Sequence, residues 1–110
     1  MKKFYHIGIN FQSIPRVLEI EHAIAASGSD WMRYGAGSWI AWSPRNANEI
    51  YLALAPLLSQ ADNILVAALN LTDRSGYMPQ WAWDWIDEKQ GEQTSQSRLA
   101  SIFADAAKSK

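Results

Sequence analysis

Few residues of this 110-residue chain are spaced for a chemical reaction. The chain has no cysteine, which excludes thiolate catalysis, disulfides and cysteine-bound metals. The two histidines, His6 and His22, lie in a predicted strand and a predicted helix, and Glu19 could share a helix face with His22. One such pair is common on helix surfaces, and no P-loop, zinc-protease or nucleophile-elbow motif is present. We therefore predict no catalytic residue, no metal site and no cofactor.

Acidic and basic side chains give equally weak signals. Asp84 and Asp87 have the i,i+3 spacing of one helix face, which favours a solvated surface over a magnesium site. Three arginines could contact phosphate if the fold brought them together; they are Arg16, Arg33 and Arg45. Because the formal net charge is −1, there is no overall basic field, so a nucleic-acid partner is possible but disfavoured.

Tryptophan is the unusual feature of the composition. There are six in 110 residues: Trp31, Trp39, Trp42, Trp81, Trp83 and Trp85. A small domain cannot easily bury six indoles around one core, so we expect some to be exposed or covered by another molecule. Three interpretations remain open: packing within the chain, a dimer or protein-partner interface, and a stacking platform for single-stranded bases.

The hydrophobic pattern predicts the elements that must position these residues. A strand places Tyr5, Ile7 and Ile9 on one face, and a nearly continuous apolar run over 63–69 indicates an interior strand. After the first strand comes a helix capped by Ser13, in which Ile14, Val17, Leu18 and Ile24 recur at helical spacing. A hairpin over 30–43 then turns at Gly35-Ala36-Gly37 and sends Trp39 and Trp42 to opposite faces. The next helix, capped by Asn46 or Asn48, carries Ile50, Leu54, Leu57 and Leu58 on one side, and Pro56 kinks it or starts a separate last turn.

This order of elements predicts an α+β fold of the ferredoxin-like βαββαβ type, with a four-stranded antiparallel sheet and both helices on one face. The predicted core spans 1–71, and a Trp-rich extension over 72–89 packs on it. Within that extension a helix over 81–87 is favoured over a strand, because Pro79 precedes it. Residues 90–110 are predicted as a polar linker followed by a short terminal helix or tail, with Leu99, Ile102, Phe103 and Ala106 at helical spacing.

Composition limits the class and the location of the protein. Hydrophobic residues make up 48% and charged residues 19% of the chain, which is typical of a globular domain. The longest apolar run, 64–69, is far shorter than the ~20 residues that span a bilayer, and the N-terminus lacks the apolar stretch of a signal peptide. We therefore expect a cytoplasmic protein without a membrane partner.

The chain resembles the SinR-like family of small bacterial proteins, which is similar in fold to the CRISPR adaptation endonuclease and to the GhoS-type antitoxin ribonuclease. The resemblance covers about residues 3–88. It rests on Ile7-Gly8-Ile9-Asn10, Gly37-Ser38-Trp39-Ile40-Ala41, Ala47-Asn48-Glu49-Ile50, Asp62-Asn63-Ile64-Leu65-Val66 and Trp85-Ile86. It implies a ferredoxin-like domain that forms a homodimer, in a group that includes metal-dependent nucleases.

The sequence departs from the nuclease members at one position. In those members the first strand ends in an aspartate that contributes to a metal site between subunits, and Asn10 stands at the matching position here. A neutral amide is a poor sole ligand for magnesium. The leading hypothesis is thus a non-catalytic dimeric protein that mediates protein association in a mobile-element, defence or toxin–antitoxin setting. The alternatives are a metal-dependent endoribonuclease or endonuclease and a nucleic-acid-binding regulator.

Overall fold

The structure, a computed structural model, confirms an α+β fold and describes residues 1–108, with side chains described through 96 and at 98, 99 and 102. Residues 2–75 and the segment from Gly76 onward form two compact units. The elements are β1 (Lys3–Asn10), α1 (Val17–Ala26), β2 (Asp30–Gly35), β3 (Ser38–Ser43), α2 (Ala47–Leu54), a 3-10 turn (Ala55–Leu57), β4 (Asn63–Ala68) and α3 (Gln80–Lys108).

The four strands form one antiparallel sheet in the order β2-β3-β1-β4, so the N-terminal strand occupies an interior position. Tyr5, Ile7 and Ile9 alternate along β1 and share one face, as predicted. This face forms the core with Ile20, Ile24, Trp39, Ala41, Ile50 and Leu54, which come from α1, β3 and α2. Helices α1 and α2 therefore pack on the same side of the sheet, and the opposite side is called the outer face below.

The first helix begins later than the sequence predicts. Ser13 does not cap it, since α1 starts at Val17 and the N-cap residue, Arg16, forms no side-chain cap. Pro15 disfavours the helical conformation at the preceding Ile14, which is 90% exposed. Leu18 is also exposed, because the buried stripe of α1 runs through Ile20 and Ile24. The prediction that Ser13 caps this helix and that Ile14 belongs to it was wrong.

Short polar motifs end α1 and begin α2. Gly28 adopts the left-handed conformation, with φ 81°, just after α1, which is the position where glycine is most favoured. Beyond it, a chain of hydroxyls connects Ser27 to Ser29 (2.8 Å) and Ser29 to Ser43 (2.6 Å). Asn46 caps α2 in a capping box with Glu49, one of the two caps that the sequence predicts. Pro56 lies in the separate 3-10 turn that follows.

The last strand of the sheet was misassigned as an interior strand. In the part of the chain that the structure describes, β4 pairs with β1 alone and is therefore an edge strand. Its apolar run arises because Ile64 and Val66 pack against the core while Leu65, on the outer face, is 64% exposed. The continuous apolar run of β4 therefore does not mean that both faces of this strand are buried.

The segment beyond Gly76 contains one long helix. The predicted helix over the tryptophan segment is confirmed, but the polar linker is not, since α3 runs unbroken from Gln80 to Lys108. Glutamate and glutamine are good helix formers, and a single internal glycine, Gly91, costs only about 1 kcal/mol. The polarity of 90–97 therefore does not prevent a helix. The side chains of Phe103 and Ala106, and residues 109–110, lie outside the described residues.

None of the helices described is long and apolar enough to cross a membrane.

Candidate functional site

Within the described residues, one edge of the sheet offers backbone groups that no neighbouring strand pairs. The N–H of Ile9 donates to Gly37 at 2.7 Å, on the β3 side, and the carbonyl of Phe4 accepts from Leu69 at 3.0 Å, on the β4 side. Because these directions alternate along an antiparallel ladder, the backbone groups of Asn63, Leu65 and Ala67 point to β1. Those of Ile64, Val66 and Ala68 point away from the sheet. We call this set the open edge.

The two edges of the sheet differ in how they resist further pairing. At the other edge, β2 carries Asp30 and Arg33, and its register shifts between Arg33 and Gly35. Charges and bulges of this kind protect an edge from adding another strand. By contrast, β4 keeps a regular register over six residue pairs and has no charged residue, no proline and no bulge. Strand β4 itself therefore carries neither the charges nor the bulge that protect the β2 edge against strand addition.

A shallow groove lies on the outer face beside β4. It has a volume of about 360 Å³ and is lined by Gly8, Ile9, Asn10, Gly37, Ser38, Asn63, Ile64 and Leu65. Two of the residues that line it are glycines. Gly8 places no side chain on the outer face, and a Cβ on Gly37 would overlap the carbonyl oxygen of Ile9. We call this depression the outer-face groove.

Polar side chains surround the outer-face groove. Asn10 lies opposite Asn63 in the terminal pair of β1 and β4. The side chains of these two residues and of Ser38 form no hydrogen bond within the described part of the chain. His6 borders the groove, because its imidazole lies beside Gly8, and its Nε2 is 2.7 Å from the hydroxyl oxygen of Tyr34. No pattern in the sequence predicts the His6–Tyr34 contact, since these residues are on different strands.

Asp62 connects two loops at this end of the sheet. Its carboxylate accepts hydrogen bonds from the backbone N–H of Gln12 at 2.7 Å and of Ser59 at 2.9 Å. The Ser13 hydroxyl donates to the same carboxylate at 3.4 Å. These bonds, that from Gln12 first and that from Ser59 next, stabilise the charged form and hold the pKa of Asp62 below its ordinary value. Asp62 thus acts as a connector between loops.

The lowered pKa predicts how Asp62 affects stability. The contribution of its carboxylate to the free energy of unfolding is fully present above the ordinary pKa of 3.8. This contribution is lost as pH falls through the lower pKa of the folded state. We expect Asp62→Asn to reduce the free energy of unfolding at pH 7. The difference in this free energy between wild type and variant should become smaller below about pH 4. Urea unfolding at pH 7 and pH 3 measures both values. The exposed Asp73→Asn serves as a control, and a gap that is independent of pH would contradict the assignment.

The three tryptophans of the sheet lie on different faces. Trp39 is 0% exposed in the core, and its indole N–H donates to the carboxylate of Glu21 at 3.0 Å. Trp31 packs against the same core from β2. Trp42 lies on the outer face, where its ring is 4.7 Å from that of Phe4. The prediction that Trp39 and Trp42 point to opposite faces is confirmed.

The three tryptophans of α3 do not form one stripe. Helical spacing puts Trp81 and Trp85 on one side, four residues apart, and Trp83 on the other. Trp81 is 56% exposed, while Trp85 lies 5.9 Å from the ammonium group of Lys89. Asp84, at the start of the helix, accepts a hydrogen bond from Gln80 at 2.9 Å. The use of these tryptophans as an interface or a stacking platform stays a prediction.

The three candidate phosphate-binding arginines each bind a nearby group. Arg16 pairs with Glu19 at 3.9 Å, and Arg45 pairs with Glu49 at 3.6 Å. Arg33 donates from Nε to the carbonyl of Gly35 at 3.0 Å and from its guanidinium to that of Ala36, and so fastens the hairpin turn. Their use as phosphate contacts stays a prediction.

Within the described residues, no three His, Asp or Glu side chains are grouped closely enough to hold a metal ion. Comparison of the chain with protein-family models, with curated proteins and with solved structures gave no match.

Proposed function

We propose that this protein is a non-catalytic, ferredoxin-like domain that associates with a second copy of itself through the open edge of β4. The strand order β2-β3-β1-β4, with α1 and α2 on one face, supports the ferredoxin-like description. The single observation that carries the association is the regular, uncharged and unprotected open edge. Such an edge pairs readily with another strand.

Strand β4 is suited to pairing with its own copy. A two-fold axis at Val66 would set Val66 against the partner's Val66 and Ile64 against the partner's Ala68. Every outward N–H and C=O of the open edge would then find a partner, in a ladder of antiparallel type. Leu65 would face the partner's Ala67, so a large side chain meets a small one. No like charges would meet, because Asn63–Ala68 contains none.

The proposal that the protein is non-catalytic rests on Asn10 and its neighbours. Asn10 lies opposite Asn63, and both are neutral amides, whereas magnesium prefers charged oxygen ligands. The adjacent carboxylate, Asp62, already accepts hydrogen bonds from Gln12 and Ser59. These residues are better suited to joining loops and binding neutral groups than to holding a metal ion.

Replacing Ala68 with proline tests the association. The N–H of Ala68 belongs to the open edge, so proline removes no bond from the β1–β4 ladder but removes one from each half of the dimer. We expect the dimer dissociation constant to rise about 100-fold, from two lost hydrogen bonds and the clash of the ring. Sedimentation equilibrium across micromolar concentrations would show a wild-type mass of twice 12.4 kDa and a monomeric variant.

Ala68→Val is the matched control, since valine keeps the N–H and favours a strand. We expect it to dimerise like wild type, and both variants to unfold cooperatively. Two results would rule out the open edge as the interface. One is a wild-type protein that stays monomeric at concentrations about 100-fold above micromolar, and the other is a proline variant that dimerises as tightly as the valine variant.

A further inference from the structure

We propose that the outer-face groove binds a nucleobase. Its volume of about 360 Å³ lies at the lower end of small-molecule sites, which suits one heterocycle. Beside the groove the backbone of the hairpin turn lies close to β1, because Gly37 cannot carry a side chain without meeting the Ile9 carbonyl. At Gly8 the His6 imidazole lies 2.9 Å from where a Cβ would stand, so this ring borders the groove on one side. The groove shares Asn63, Ile64 and Leu65 with β4, but it opens on the outer face of the sheet, whereas the open edge pairs through backbone groups, so the inference does not depend on dimerisation.

The polar groups of the groove match the edge of a base. Asn10 and Asn63 face each other across β1 and β4, and Ser38 lies opposite Gly8 on β3. Each amide offers a donor and an acceptor side by side, which is the pattern that asparagine uses to bind adenine with two hydrogen bonds. Because these side chains have no partner within the described part of the chain, they are free to bind without breaking an internal bond.

The groove is uncharged and therefore favours the neutral part of such a ligand. None of its eight lining residues is ionisable, so the site has no group to pair with a phosphate. The imidazole of His6, fixed by Tyr34, adds an aromatic ring at the border, and aromatic rings commonly stack with bases. The ligand is therefore the base itself, which either a free nucleoside or a single-stranded nucleic acid would supply.

Binding of adenosine and of the oligonucleotide (dA)10 tests the proposal. In two-dimensional NMR of the labelled full chain, we expect saturable shifts of the side-chain NH₂ signals of Asn10 and Asn63 and of the backbone signals of Gly8 and Gly37. Saturation with adenosine would identify a free nucleoside as sufficient. Saturation with (dA)10 alone would identify the base within a single strand. The absence of saturation with both probes up to about 5 mM would overturn the proposal.

Four variants locate the binding. Asn10→Ala and Asn63→Ala should each weaken binding about tenfold, the effect of losing one or two hydrogen bonds. Asn48→Ala, which changes an exposed amide on α2, should bind like wild type. Gly8→Ala places a methyl group 2.9 Å from the His6 ring, so the ring must shift from its position at the border of the groove, and the variant should weaken binding in a folded protein. Equal affinity of wild type and the Asn10 and Asn63 variants would contradict the proposal.

Discussion

Replacing Ile7 with alanine is expected to lower the free energy of unfolding by about 2–5 kcal/mol. Ile7 is 0% exposed at the middle of β1, an interior strand, and packs among residues from β3, α1 and α2. Alanine would leave a cavity that the strands on both sides of β1 cannot close, because their register is fixed on both sides. Urea unfolding followed by circular dichroism measures the change.

Ile14 provides the matched control for Ile7. It is the same residue type in the same chain, but it is 90% exposed in the loop before α1. We expect Ile14→Ala to change the free energy of unfolding by less than about 0.5 kcal/mol. If the two variants lost similar stability, the assignment of the core to the Ile7 face of β1 would be wrong.

A second large effect is expected from Gly37→Ala. The added methyl group would overlap the carbonyl oxygen of Ile9, and its contact is with backbone that cannot rotate away. The N–H of Ile9 also donates to Gly37, so the hairpin turn and β1 would have to separate. We expect a loss of about 1–3 kcal/mol or more, the usual result of overfilling a packed site. Thermal and urea unfolding both measure it.

Gly91→Ala makes the same chemical change at a position with space around it. Nothing lies within 4 Å of the added methyl group, and Gly91 is inside α3. Alanine restricts the unfolded chain and favours a helix, so we expect the helical signal to melt later and stability to rise by about 0.5–1 kcal/mol. A loss of stability at Gly91, or no loss at Gly37, would contradict the placement of these glycines.

The sequence predicted those elements in which local pattern and tertiary structure agree. The alternation of Tyr5, Ile7 and Ile9 reflects one buried face, and β1 has such a face against the core. The hairpin was predicted correctly because Gly35-Ala36-Gly37 combines turn chemistry with strand formers on both sides. In α2, Asn46 and Glu49 form the predicted kind of cap. These features are encoded within a few residues of one another.

The errors arose where distant residues decide the outcome. Ser13 is a good helix cap in isolation, but it lies near Asp62, which is far away in sequence. Leu65 looks like a core residue because its neighbours are apolar, yet the strand order leaves it on an uncovered part of the outer face. The outer-face groove could not be predicted either, because Asn10, Ser38 and Asn63 meet only after three strands pair.

The interior position of β1 has a consequence for the order in which the chain can fold. β1 is synthesised first, yet Tyr5 pairs with Ala68 and Lys3 pairs with Ser43, so both of its ladders join residues far apart in sequence. Loop closure of this kind slows folding, while the local β2–β3 hairpin can form early. On the ribosome, β1 must therefore remain without its second neighbour until β4 has emerged. During that interval the apolar face of β1 is the segment most exposed to misassociation.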